Sequence, residues 1–437
     1  MPALTTPPAI ASAVAASLRL VDLGPPEVSF PLLATTVRAV FGEPDFGVHV
    51  SGETGTFKSE VVALYQQHFG AGLDRLHLPG SWSSTANSIE ALAFQAKDAL
   101  LTIDDFAPQG SAGDIQRYHA AADRVFRAAG NHAGRGRLDS STRLREPKPP
   151  RAMILSTGEE IPRGHSVRAR LLILEVARGS ISSDELSQCQ KDARAGLYAQ
   201  AMSAFLQWFA SRYEDARSAF DRIVSERRAV QLDKAHARTP EITANLGAAF
   251  ELYLNFACES GAIDGFERDR LANRCRNALR DAALAQIKHQ EAIEPTERFL
   301  SILRSLLTSG RGHFESKNGG IPDGVSGACG WKRDGAETWS RMGDNLGWLD
   351  GDDLYLDPEA AYRAIQVGGR DAGESLPIAL PTLKKRLKEK GLLASVDQKR
   401  QTHTIRRTIC GSTRDVLHLS RDTLLPPALA EEEQDVG

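Results

Sequence analysis

The chain has 437 residues, 41% of them apolar and 25% charged, with a formal net charge of −3. This composition excludes bulk disorder, and the length exceeds one comfortable hydrophobic core, which predicts two or three domains. No apolar run approaches the roughly 18 residues of a membrane span, and the opening MPALTTPPAIASAVAASLRL lacks the basic start of a secretory signal, so a cytoplasmic protein without a membrane partner is expected. The cysteines (Cys189, Cys258, Cys275, Cys329, Cys410) are scattered, odd in number and free of any C-x-x-C pair, which argues against a disulfide framework or a zinc site.

In chain order, residues 1–29 are rich in Ala, Pro and Thr and read as an N-terminal arm. Residues 30–180 alternate short apolar runs (FGVHV, ALLTIDDF, RAMILST, RARLLILEV) with helical stretches, the pattern of an α/β domain with buried parallel strands. Between the first run and a helical stretch stands SGETGTFKSE, residues 51–60. It matches the phosphate loop G-x-x-x-x-G-K-[ST] at Gly52, Lys58 and Ser59 but carries Phe57 where the second glycine belongs. Such a loop binds phosphate because backbone N–H groups converge at a helix N-terminus, with a lysine adding charge and a hydroxyl helping to hold Mg²⁺. Glu53, Thr54, Thr56 and Phe57 would complete the cradle, and Gly55 is expected to supply the positive φ. A plain strand-to-helix turn containing Lys-Ser is the competing reading.

The second apolar run, DALLTIDDF, ends in two acids at the carboxyl end of a strand, where open α/β sheets place ligands. Asp104 is the candidate for the Mg²⁺ shell and Asp105 for orienting or deprotonating water. An Asp at the second position reaches one methylene less than a Glu, so slow hydrolysis is expected. The third run ends in Ser156, Thr157, Gly158 and Glu159, and Thr157 or Glu159 is the candidate to sense a γ-phosphate. PRGHSVRARLLILEV then offers Arg163, Arg168 and Arg170; Arg168 first and Arg170 second are candidates for an arginine presented to a neighbouring subunit's nucleotide. Solvated arginines on a strand edge are the alternative.

Residues 181–310 carry apolar positions at three- and four-residue spacing, which predicts an all-helical domain. A Gly-rich linker is expected over 311–338. Residues 339–425 read as a strand pair, a helix, the basic helix ALPTLKKRLKEKGLL and two β-like runs, HTIRRTIC and DVLHLS, the order of a winged helix. Over residues 376–425 eleven Lys and Arg stand against four Asp and Glu, a local excess of seven that points to a polyanionic partner. Lys384, Lys385, Arg386 and Lys388 on the helix, with Arg406 and Arg407 on the wing, are the DNA-binding candidates, joined by Lys390, Lys399 and Arg400. The helical charges occupy several faces, so not all can enter one groove, and a solvated basic helix is the plain alternative. Residues 426–437 form an acidic tail.

Taken in order, GETGTFKSE, GSWSSTANSIEALAFQAKDALLTIDDF, VFRAAGNHAGRGRLDSSTRLR, ILSTGEEIP and RARLLILEV resemble the helicase-like ATP-binding domain of phage, plasmid and integrative-element primase-helicases, a relative of the AAA+ and superfamily-3 helicases. Members of that family are similar in carrying Phe or another residue before the loop lysine. The resemblance implies an AAA+-like P-loop core, ATP and Mg²⁺ as cofactors, hydrolysis, a homo-oligomeric ring such as a hexamer, and work on single-stranded or forked DNA. Asp105 departs from the commoner Glu, and no primase-polymerase domain precedes the core, so a separate primase is implied. Within the matched segments, Trp82, Ser83, Thr85 and Asn87 could face DNA, Trp82 by stacking on a base or else by packing under the sheet. Arg135, Arg137, Arg143 and Arg145 would suit a channel lined for a phosphate backbone, or else a solvated loop. The expected function is an ATP-dependent DNA helicase or translocase serving replication of a mobile element. The alternatives are a nucleotide-switched DNA-binding initiator or regulator that does not unwind, and a small-molecule P-loop kinase.

Overall fold

A computed structural model of the chain describes residues 6–134, 136, 141–144, 146–228, 238–291, 294–334, 338–371, 376 and 378–425. It divides into two units, residues 1–290 and 291–437.

The first unit begins with two helices, α1 (Pro7–Arg19) and α2 (Pro26–Arg38), each opened by proline in its first turn, where a missing N–H costs nothing. There follow β1 (Gly47–Ser51), α3 (Lys58–Gln66), β2 (Gly80–Ser81), α4 (Ala86–Gln95), β3 (Leu100–Phe106), α5 (Ala112–Gly130), β4 (Met153–Gly158), the single turn α6 (His165–Arg168) and β5 (Leu171–Glu175). The remaining helices are α7 (Ser183–Arg194), α8 (Leu197–Ala210), α9 (Tyr213–Arg228), α10 (Thr239–Glu259) and α11 (Gly265–Glu291). All five strands run parallel in the order β2-β3-β4-β1-β5. β4 is therefore inserted between β1, which leads into the phosphate loop, and β3, which ends in the acids.

Strand periodicity sorts the apolar residues onto two faces. Val48 and Val50, Met153 and Leu155, and Leu172 and Leu174 face a core that they share with α1, α2, α3 and the helices α7 to α10. Leu101 and Ile103, Ile154, and Leu171 and Ile173 face a second core with Ile89 and Ala93 of α4 and Val125 and Phe126 of α5. Helices on both faces of a parallel sheet make this unit an α/β fold of the kind that carries NTPase cores.

Two boundaries differ from the sequence expectation. Residues 7–29 are not an arm: Ala13, Val14, Ala16, Leu18 and Leu20 are buried, α1 packs along α8, and Tyr253 donates to Ser17 Oγ at 2.9 Å. Residues 183–259 do not form a separate helical domain either, because their apolar faces close the same core as the sheet. Periodicity reveals that a helix has an apolar face, not which surface covers it.

The second unit contains α12 (Pro295–Thr308), β6 (Gly312–Ser316), the short ribbon β7 (Trp331–Asp334) and β8 (Thr338–Arg341), β9 (Asp344–Asp350), β10 (Asp353–Leu356), α13 (Pro358–Asp371), α14 (Leu380–Glu389), β11 (Ile405–Ile409) and β12 (Ser412–Ser420). Its main sheet has the order β11-β12-β10-β9-β6. β10 leads into two helices, and the hairpin that follows returns β12 antiparallel beside β10. The stretch 311–338 is not wholly a linker, since it contributes β6 to the sheet with Phe314 fully buried. The tail, 426–437, lies outside the described residues.

Candidate functional site

A cavity of about 400 Å³ opens at the carboxyl ends of β1, β3 and β4. The loop residues Thr54, Gly55 and Phe57 line it, with Lys58, Ser59 and Glu60 of α3, Asp104 and Asp105 of β3, Thr157, Gly158 and Glu159 of β4 and its exit, and Arg75. Gly52 sits where no side chain fits: a Cβ there would lie 2.5 Å from the Val176 carbonyl oxygen and 3.0 Å from Thr56 Oγ1. Gly55 takes a positive φ of 83°, and Phe57 takes one too, at 63°. The backbone at Phe57 thus keeps the left-handed turn that a glycine would make easily, in a residue that is 43% exposed at the cavity rim.

Lys58, the first residue of α3, folds back over the loop and donates from Nζ to the Glu53 carbonyl at 2.7 Å and to Thr56 Oγ1 at 3.4 Å. Burial lowers its pKa, while Glu159, Asp104 and Asp105 pull the other way. Ser59 Oγ donates to Asp104 Oδ1 at 2.8 Å, and the Thr157 hydroxyl donates to the same oxygen. Thr157 Oγ1 also accepts the Asp105 N–H at 3.1 Å, so one buried hydroxyl holds the Asp104 carboxylate and the Asp105 backbone. Glu159 accepts from Thr54 and closes the loop across the cavity.

Strand alternation would send neighbouring acids to opposite faces. A β-bulge between Ile103 and Phe106, with Asp105 at φ 66°, breaks the alternation just there. Bulges beside functional sites redirect side chains in this way, and here both carboxylates line one cavity.

The residues fit a phosphate and a hard divalent cation. A glycine-only cradle, a lysine, a hydroxyl and a carboxylate are the right donors. Among the described residues no group of three or more His, Cys, Asp or Glu could hold a metal alone. A cation at Ser59 and Asp104 would take its other ligands from water and phosphate oxygens, as Mg²⁺ does.

The arginines separate. Arg168 donates to the Pro162 carbonyl at 3.0 Å and the His289 carbonyl at 3.3 Å, and it lines a neighbouring cavity with Gly52, Glu53 and Arg163. Arg170 precedes β5, whose Leu171 is in register with Gly47, so it lies at the end of the sheet away from the loop that follows Ser51. At about 3.3 Å per residue that is on the order of 15 Å. Ser166 and Asn131 hold its guanidinium there, and it does not reach its own chain's phosphate loop.

The segment around Trp82 is part of the fold. Trp82 is 3% exposed, packs on Phe106 and Phe126, and donates to Ser156 Oγ at 2.8 Å, which overturns base stacking in favour of packing. Thr85 caps α4, Ser83 bonds Ser81, and Asn87 accepts from Arg124. Behind Trp82 the chain of bonds has one direction. His49 Nε2 faces the Glu160 carbonyl at 2.9 Å and must donate, so His49 Nδ1 accepts from Ser156 at 3.0 Å. Burial pushes His49 down to about 4, so it is neutral. Sequence reading missed His49, Glu60 and Arg75, none of which belongs to a spaced motif. Arg135, Arg137 and Arg145 lie outside the described residues; Arg143 is exposed.

In the second unit the basic candidates divide between faces. Leu380, Leu383 and Leu387 bury one side of α14. Lys384, Lys385 and Lys388 lie together on one flank of the helix, and Arg386, on the other, turns toward α12 and pairs with Glu294 at 3.6 Å. On the hairpin, Arg406 opposes Asp415, which also pairs with Arg400 at 2.7 Å and feels the charge of Lys384. Arg407 opposes Arg414 on the other face, where the two guanidinium groups lie over Tyr355 and Trp348. Arg406 therefore shares a side with the helix lysines and Arg407 does not.

The family model "Domain of unknown function (DUF927)" matches residues 27–118, from α2 through the phosphate loop and acid strand into α5. A solved structure of the SCCmec type IV Cch, described as an active helicase, superposes with a TM-score of 0.59 at 13% identity, over 93% of this chain and 69% of that one. This likeness is one of fold. No curated protein matches the sequence.

Proposed function

We propose that the first unit is an ATP-hydrolysing P-loop core and the second a winged-helix DNA-binding module, together forming a DNA helicase or translocase. The observation that carries the first half is the joining of Ser59, Asp104 and Thr157 by hydrogen bonds beside Lys58 at the start of a helix. Lys58 and the loop N–H groups would neutralise the phosphates, and Ser59 and Asp104 would hold Mg²⁺, which stabilises charge on the transferred phosphoryl group. Asp105, fixed by Thr157, would orient the attacking water. Arg168 first, and Arg170 second, would act toward another copy's nucleotide in an oligomeric ring.

The order β10, α13, α14, β11, β12, with β12 between β10 and β11, supports the winged-helix reading of this unit. Lys384, Lys385, Lys388 and Arg406 would contact the DNA backbone. The described fold of the SCCmec helicase supports work on a mobile element's DNA, where a separate primase would supply primers. Among the described residues no helix is long and apolar enough to cross a membrane.

The test is steady-state ATP hydrolysis with and without single-stranded DNA, then unwinding of a forked duplex. Several-fold stimulation that Lys58→Ala abolishes is expected. Tight ATP binding without DNA-dependent turnover would replace the motor by a nucleotide-switched DNA binder, and phosphate transfer to a metabolite without DNA would replace both.

A further inference from the structure

Arg75 is a second cation in the nucleotide cavity, and no spacing rule leads to it. It lies in the loop between α3 and β2 and lines the cavity with Lys58, Asp104 and Asp105. Its Nε donates to Glu60 Oε1 at 2.7 Å, and the other Glu60 oxygen accepts from Gln190 Nε2 of α7 at 2.8 Å. Glu60 is the third residue of the helix that starts at Lys58.

We propose that Arg75 is a phosphate-binding residue of the same chain, held by Glu60 until a nucleoside triphosphate arrives, and that its transfer to the terminal phosphate releases Glu60 and alters the bond to α7. This inference rests on the nucleotide reading of the cavity. Three observations carry it. The cavity's other described charges are Lys58 against Glu60, Asp104, Asp105 and Glu159, so a polyanion entering it needs more positive charge than Lys58 supplies. The Arg75–Glu60 pair is half-exposed, with side-chain exposures of 55% and 27%, and such pairs are worth little, so exchange is easy. A guanidinium that exchanges a solvated carboxylate for a phosphate gains charge-assisted, fork-shaped bonds.

Glu60 then does two things at once. It competes with phosphate for Arg75, and it ties the cavity to α7, a helix outside the sheet. A ligand that favours one partner of Arg75 shifts the other by the same free energy, which is how a distant helix comes to register occupancy.

The test measures affinity of the full chain for a slowly hydrolysed ATP analogue with Mg²⁺, and for ADP, in wild type, Arg75→Ala, Glu60→Gln, the double variant and Lys58→Ala. Arg75→Ala should weaken the triphosphate about tenfold or more, as loss of a hydrogen bond to a charged group does, and weaken ADP much less. Glu60→Gln should tighten the triphosphate several-fold, a gain that misfolding does not imitate, and the gain should vanish in the double variant. If Arg75→Ala and Glu60→Gln both bind like wild type while Lys58→Ala does not bind, the pair is structural and the inference falls alone. If Lys58→Ala binds like wild type, the nucleotide reading falls and takes this inference with it.

Discussion

At the scale of single residues the loop shows how a motif is kept when its consensus residue is not. The glycine before a loop lysine is wanted for its left-handed backbone, and Phe57 adopts that backbone at φ 63°. A left-handed conformation costs a non-glycine residue roughly 1–2 kcal/mol, and glycine's extra unfolded-state freedom returns about 0.5–1. Phe57→Gly should therefore leave stability unchanged or raise it by up to about 1.5 kcal/mol, with nucleotide affinity retained. Phe57→Val, β-branched in the same conformation, should lower it by about 1 kcal/mol or more. Denaturant unfolding of the two variants checks this, and a loss with Gly would mean that the ring carries packing. Asp105 repeats the lesson: neither its left-handed φ nor the bulge around it is written in the residue type, because a bulge is set by the strands on either side.

At the scale of elements the hairpin makes the clearest prediction. Arg406 and Arg407 are adjacent in sequence, yet a strand places them on opposite faces, and only Arg406 shares the side of Lys384. Arg406→Glu should weaken DNA binding and flatten its salt dependence, while Arg407→Glu should do much less; titration of labelled duplex at several salt concentrations reads both. Equal losses would place DNA on both faces. Much of the element pattern was legible in advance: the strands show as short apolar runs, and the loop and acids stand at their carboxyl ends. Face assignment was not, since Arg386 is diverted by Glu294, a partner 92 positions earlier in the chain that no local pattern reveals. The serine- and tryptophan-containing segment misled because polar residues that cap a helix and satisfy a buried indole look, in sequence, like a polar surface.

At the scale of the whole molecule, stability should depend on pH through buried imidazoles. His49 and His68 are fully buried, each held near 4 mainly by burial, below the ordinary value of 6.5. A folded-state pKa below the unfolded one means that the unfolded chain binds more protons between the two. The stabilisation is thus complete above about 6.5 and is lost as pH falls toward 4, at roughly 3 kcal/mol for each histidine. Thermal melts from pH 7.5 to 4.5 should show a steep decline over that window, and His68→Gln should make the decline shallower. A flat profile would mean that these rings take up protons in the fold as readily as in the unfolded chain.

The burial of α1 beneath α8 and α10 has a consequence for synthesis on the ribosome. Ser17 emerges among the first residues but accepts its bond from Tyr253, so α1 and α2 wait for more than a hundred and more than two hundred further residues before α8 and α10 cover them. A nascent chain of this length exposes the outer apolar faces of α1 and α2 in the interval. A fragment cut to the phosphate-loop segment alone, near residues 30–180, would lack α10 and keep the outer face of α2 bare for good, and would be expected to aggregate before it could bind anything.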